Sequence, residues 1–131
     1  MIAFTKLHGN GNDFILIDEM TGTVIPDEMK AQFAVSYCDR RFGIGADGVL
    51  FISPSAAADV RMRLFQPDAS EAEMCGNGIR CLAKYAFDNS YVKTALFSVE
   101  TLAGVLTVRV GYDAEGDFSV TIDMGIPVYD A

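Results

Sequence analysis

The residues best suited to chemistry stand together at Cys75-Gly76-Asn77-Gly78, directly before a run with helical spacing. In that run Ile79, Leu82, Ala83, Ala86 and Phe87 fall on one side, widened by Cys81 and Tyr85. Arg80, Lys84 and Asp88 fall on the other. A helix opening here has unpartnered backbone amides in its first turn, and these carry the positive end of the helix dipole. They suit an anionic ligand group and a thiolate at Cys75. Gly76 and Gly78 lack the side chains that would obstruct approach to those amides. Glu71 and Glu73 act against a thiolate, because nearby negative charge disfavours it.

Ser70-x-x-Glu73 matches a capping box and offers an earlier start for the helix. The later start, after Cys75, is preferred, since two glycines within a first turn cost about 1 kcal/mol each against alanine. Either way the helix is apolar over so much of its surface that it must be packed on several sides, as a core element with strands around it.

The strands follow in both directions. Residues 1–7 and 13–18 read as two short strands joined by the turn His8-Gly9-Asn10-Gly11-Asn12. Val49 to Ile52 is a short apolar strand, and residues 59–65 alternate, with Val60, Met62 and Leu64 facing one way and Arg61, Arg63 and Phe65 the other. After the helix come strands over 96–100, 105–112 and 118–124. The last two are joined by the turn Asp113-Ala114-Glu115-Gly116, and Gly125-Ile126-Pro127-Val128 leads out of the final strand. A second, amphipathic helix is expected over 26–40, with Met29, Phe33 and Tyr37 as its apolar stripe. The whole is an α+β fold, a strongly twisted, mostly antiparallel sheet or barrel wrapped around a central apolar helix.

Composition narrows the function. The chain has 131 residues, the size of one domain, and 18 acidic against 10 basic residues give a formal charge of -8. That charge repels phosphate backbones and argues against nucleic acid as a partner. No long apolar run and no export signal is visible, so neither a membrane nor a secretory route is indicated and the cytoplasm is the expected compartment. Cys38, Cys75 and Cys81 lack the short paired spacings of a disulfide framework or a closed zinc site, even with His8 added, and no metal is expected. Cys38 and Cys81 are assigned to packing. Gly43 to Gly48 matches G-x-G-x-x-G, but a helix precedes it and a strand follows, the reverse of a dinucleotide site.

Three separated stretches, LHGNGNDFILID, DRRFGIGADGVL and SEAEMCGNGIRCLAKY, stand in one order, and together they resemble diaminopimelate epimerase. The resemblance covers essentially all of residues 1–131 and only about the first half of that family's usual length. It implies a cofactor-independent enzyme of lysine and cell-wall biosynthesis that interconverts LL- and meso-diaminopimelate, an amino-acid substrate. It implies two similar halves, each a twisted sheet around a helix, with the site in the cleft between them. It assigns Cys75 as one of two catalytic cysteines, and Asn12, Gln66, Gly76 and Asn77 to substrate binding. The second cysteine belongs to the C-terminal half, which is therefore the implied partner, with a homodimer also allowed. This chain alone is expected to be inactive, as a fragment or as one of two chains. The chain departs from the family pattern at positions that bear on the site: Gln66 stands for an asparagine within a segment usually resembling NADGSE, here QPDASE, and Gly48 stands where some members have glutamine. A related racemase such as the proline racemases is disfavoured, because histidine is usual there in the place of Asn77. A non-catalytic amino-acid-binding half-domain is the alternative from another class.

Overall fold

The computed structural model describes residues 2–9, 11–73 and 75–123. Its strands are β1 (Thr5–Gly9), β2 (Asn12–Asp18), β3 (Gly48–Ser53), β4 (Val60–Phe65), β5 (Glu71–Ala72), β6 (Leu96–Thr101), β7 (Gly104–Tyr112) and β8 (Phe118–Asp123). Its helices are α1 (Lys30–Tyr37) and α2 (Gly76–Asp88). The strands form one sheet in the order β1-β2-β3-β4-β6-β7-β8, with the short β5 paired to β4. Most neighbours are antiparallel, as expected, but β2 with β3 and β4 with β6 are parallel. A parallel neighbour needs a crossover, and α1 and α2 are those crossovers. The expected strand end at Met124 and the exit at 125–128 lie outside the described residues.

Alternation along the strands builds two cores from one sheet. Phe14 and Leu16 of β2, Leu50 and Ile52 of β3, and Val60, Met62 and Leu64 of β4 face inward with Phe97, Val99, Leu106, Val108 and Val110. They close on Ile79, Leu82, Ala83 and Ala86 of α2. The sheet curls far enough that β1 and β8, at its two edges, both touch that helix. Ile15, Ile17, Val49, Phe51 and Phe65 face outward, onto Ala34 and Cys38 of the α1 segment. Burial on both faces explains the unbroken apolar runs of β2 and β3, and burial on one face explains the alternation of β7, which buries only Leu106, Val108 and Val110.

The helix expected over 26–40 is shorter and turned. A 3-10 turn at Asp27–Met29 precedes α1, Met29 is 56% exposed, Tyr37 is 40% exposed, and only Phe33 of the expected stripe is partly buried. The buried stripe is Lys30, Ala34 and Cys38, one residue further on. Small side chains at Ala34 and Cys38 let the helix lie close to the sheet at β4. The Lys30 ammonium is accommodated because it is paired to Glu19 at 3.1 Å and Asp27 at 2.9 Å, donates to the Ile25 carbonyl at 2.6 Å, and sits 4.7 Å from the Phe51 ring centre. Phe33 and Tyr37 stack on each other at the flank, 4.4 Å apart.

Candidate active site

α2 begins at Gly76, with Cys75 in extended backbone as the cap residue, so the later start holds. Ser70 is used elsewhere: it lies in the tight turn between β4 and β5, where its N–H and hydroxyl donate to Asp68 at 3.0 and 2.6 Å. Both glycines nevertheless lie inside the first turn, contrary to the argument from their cost. Their surroundings differ. A Cβ on Gly78 would lie 3.4 Å from Leu50, 3.6 Å from Leu64 and 3.6 Å from the Cys75 Cβ, so this glycine seats the helix start against β3 and β4. A Cβ on Gly76 would meet no atom of the described residues within 4 Å, so Gly76 borders open space. Among the described residues, no side chain caps this terminus and no acidic residue occupies its first turn. The Ile79 amide donates to the Cys75 carbonyl at 2.9 Å.

Cys75 is half-buried against the inner core, and Cys38 and Cys81 are buried. Burial pushes the Cys38 thiol up to about 11 and raises the Cys81 thiol as well. Both therefore fit the packing roles expected of them. Glu71, expected to oppose a thiolate, is already engaged: Arg63 holds it through two bonds of 2.8 and 2.9 Å. This pair also ties β5 to β4 immediately before Cys75. Glu73 is exposed.

Asn12 opens β2, and the strand pairing brings it to the α2 terminus, where Asn77 Nδ2 donates to its side-chain carbonyl. Cys75, Gly76, Asn77 and Asn12 are thus together. Gln66 is not joined to them by a hydrogen bond among the described residues. It is exposed, its side chain donates to Ser70 at 3.2 Å, and it starts the turn from β4 into β5. Gly48 is tightly packed, since a Cβ there would lie 2.8 Å from Leu64 and 3.2 Å from the Phe65 carbonyl.

A charged group beside Asn12 escaped the sequence reading. Asp13 is paired with Lys6 at 3.0 Å and with Arg40 at 3.0 Å, and Arg40 also reaches Asp47 at 3.1 Å. The Arg40 guanidinium, with Lys6, holds the Asp13 carboxyl well below the usual carboxylate range. Asp13, Arg40 and Asp47, with Asn12, line a surface hollow together with His8, Gly9 and Gly11. The opposite charges at the two ends of RRFGIGAD, Arg40 and Asp47, were the available signal. Among the described residues, three carboxylates converge only at Asp113, Glu115 and Asp117 on the exposed β7–β8 turn, and no cysteine or histidine belongs to such a group.

The diaminopimelate epimerase family model matches residues 4–129. The diaminopimelate epimerase of Methanothrix thermoacetophila is 59% identical over 98% of this chain and 46% of its own length. That of Archaeoglobus fulgidus is 52% identical over 98% of this chain and 45% of its own. The chain spans about half the length of these relatives. Among solved structures, a PhzF-family phenazine biosynthesis protein from Bacillus anthracis superposes with a TM-score of 0.70 at 23% identity, over 92% of this chain and 38% of that one. A probable proline racemase from Agrobacterium radiobacter superposes with a TM-score of 0.69 at 16% identity, over 93% and 41%. At those identities the two structures speak to the fold alone, whereas the family match spans nearly the whole chain, and the chain belongs to the diaminopimelate epimerase family.

Proposed function

We propose that this chain supplies one half of the active site of a cofactor-independent epimerase that interconverts LL- and meso-diaminopimelate, as part of lysine and cell-wall precursor synthesis in the cytoplasm. The observation that carries the reading is the uncapped α2 terminus with Cys75 at its cap position and Asn12 hydrogen-bonded to Asn77 beside it.

Inverting a stereocentre requires a proton to leave carbon on one face and a proton to arrive on the other. One cysteine thiolate takes the α-proton and becomes a thiol, leaving a carbanion. A second thiol on the opposite face gives its proton to that carbon and becomes the thiolate. Cys75 is one of this pair, and the other lies in the C-terminal half of the enzyme. The α-hydrogen of an amino acid is very weakly acidic, so the carbanion needs fixed dipoles nearby. The Gly76 and Asn77 amides supply them by holding the substrate carboxylate, whose charge rises as the proton leaves. Asn12 and Asn77 bind the polar groups of the amino acid. Gln66, at the head of the β5 turn, keeps an amide where the family has the shorter asparagine and joins the site at the cleft.

The test is solvent-deuterium incorporation at the α-carbon of diaminopimelate by the full-length enzyme. Exchange is expected, with a loss of about a thousandfold or more in Cys75→Ala, while the 131-residue chain alone gives none. Turnover by the short chain, unaffected by Cys75→Ala, contradicts the two-thiol chemistry. Gly76→Ala sharpens the assignment. Its methyl meets no atom of the described residues and alanine favours helix, so the fold should be as stable or more so, yet a methyl next to the Gly76 amide crowds the carboxylate held there and activity should drop.

A further inference from the structure

The asparagines at the α2 terminus are held from outside the helix, by the loop that leads into β3. Asn12 Nδ2 donates to Asp47 Oδ2 at 3.3 Å, and the Asp13 backbone N–H donates to the same oxygen at 2.8 Å. The second Asp47 oxygen accepts from Arg40 at 3.1 Å. Arg40 also donates to both oxygens of Asp13, at 3.3 and 3.0 Å, which anchors it across the start of β2. An ionised carboxylate can only accept, so the end of the Asn12 amide turned toward Asp47 is its NH2. The carbonyl end is thereby turned to Asn77, and it takes the Asn77 NH2. Hydrogen-bond polarity runs one way from Asn77 through Asn12 to Asp47. The Asn77 carbonyl oxygen is left as the end of that amide turned away from Asn12.

Without an acceptor at position 47 in reach of Asn12, nothing in this chain of contacts would fix which way the Asn12 amide lies, and Asn77 would lose its preset orientation with it. Asp47 is itself partly exposed and belongs to none of the apolar clusters, so its contacts serve the polar group and not the core. We propose that Asp47 is a positioning residue for the diaminopimelate site: its carboxylate, steadied by Arg40, orients the Asn12 amide and through it the Asn77 amide before substrate arrives. The kinetic part of this inference rests on the proposed function above.

In the full-length enzyme, Asp47→Ala is expected to raise KM for diaminopimelate about tenfold with kcat held within about twofold, the pattern of lost uniform binding. Asp47→Asn keeps a carbonyl that can accept from Asn12 and from the Asp13 amide, and it should return KM to within about threefold of the parent. If Asp47→Ala does not fold, Asp47→Ser, whose hydroxyl still takes the Asp13 amide, carries the same expectation as Asp47→Ala. A merely structural Asp47 would give fewer active molecules of normal affinity, so a fall in kcat with KM unchanged overturns the proposal. A second readout needs no activity. In the 131-residue chain, exchange of the Asn12 and Asn77 side-chain amide hydrogens with water, followed by NMR, should be about fivefold faster in the alanine or serine variant. Unchanged exchange overturns the orienting role whatever the reaction is. If the parent enzyme leaves the α-hydrogen of diaminopimelate unexchanged but amide exchange still depends on Asp47, the proposed reaction fails and the positioning stands.

Discussion

The two faces of the sheet carry one helix each, and the helices use their ends differently. On the outer face, the turn before α1 holds Asp27, which is drawn into ion pairs with Lys30 and Arg63, and the buried Lys30 is saturated by Glu19, Asp27 and the Ile25 carbonyl. Lys30, Glu19, Asp27 and Arg63 are all paired there, and the result is anchorage. On the inner face, α2 starts with glycines, an uncapped terminus and a half-buried cysteine, on a helix whose body is otherwise core. Packing holds that helix in place, so its first turn can do without a side-chain cap from the described residues. The difference teaches where this fold can keep reactive groups: at the mouth of the inner helix, held by the strands around it.

The largest effect should come from breaking the inner face. Leu82 is fully buried in it, and Leu82→Asp places a carboxylate among Leu50, Leu64 and their neighbours. A loss on the order of 5 kcal/mol is expected, enough to unfold a domain of this size. Cooperative melting of the variant near the parent temperature would show that α2 does not carry the core.

On the outer face, Lys30→Met should cost about 3 kcal/mol by denaturant titration, because the Glu19 carboxylate stays buried without its main counter-ion. Adding Glu19→Gln should recover part of the loss, since the remaining partner is then neutral. Equal stabilities of the single and double variants would mean that the buried pair is not coupled. Neither variant is expected to change the labelling of Cys75.

Cys38 adds a pH dependence to the same face. Its thiol, ordinarily near 8.5, is pushed up to about 11 by burial in the folded chain. The unfolded state therefore loses this proton first as pH rises, so the stabilisation is complete below the ordinary thiol range and is lost as pH climbs toward 11. Urea midpoints measured across that window should fall, and more steeply in the parent than in Cys38→Ala. Parallel curves would remove Cys38 from the explanation.

The smallest effect lies in the turn that leads to the site. Ala69 holds a φ of 76°, in the left-handed region, where glycine carries no steric cost. Ala69→Gly relieves a strain of roughly 1–2 kcal/mol but adds freedom to the unfolded chain, so a net gain of about 0.5 kcal/mol is expected. A lower melting temperature would contradict the strain assigned to this turn.

Legibility in the sequence followed the same division. α2 and the strands around it were readable because burial on one side leaves a clean period, as in Val60, Met62 and Leu64 or Leu106, Val108 and Val110. The α1 face was misread by one residue because its buried stripe contains Lys30, which no hydrophobic pattern selects. The two-residue β5 carries no period at all, and parallel pairing of β2 with β3 depends on the crossover and not on either strand. At the site, Cys75, Gly76 and Asn77 announced themselves by adjacency. Asp47 did not, since what makes it part of the site is a contact with Asn12, 35 positions away.

The contrast between the faces is tested most directly by limiting iodoacetamide on the folded 131-residue chain near neutral pH, with mass mapping of the labelled cysteines. Cys75, half-buried at the uncapped terminus, should be alkylated first, while the buried Cys38 and Cys81, with raised thiols, lag well behind. Labelling of Cys38 or Cys81 ahead of Cys75, or of all three only on unfolding, would contradict the claim that the inner helix terminus is where this chain keeps its reactive group.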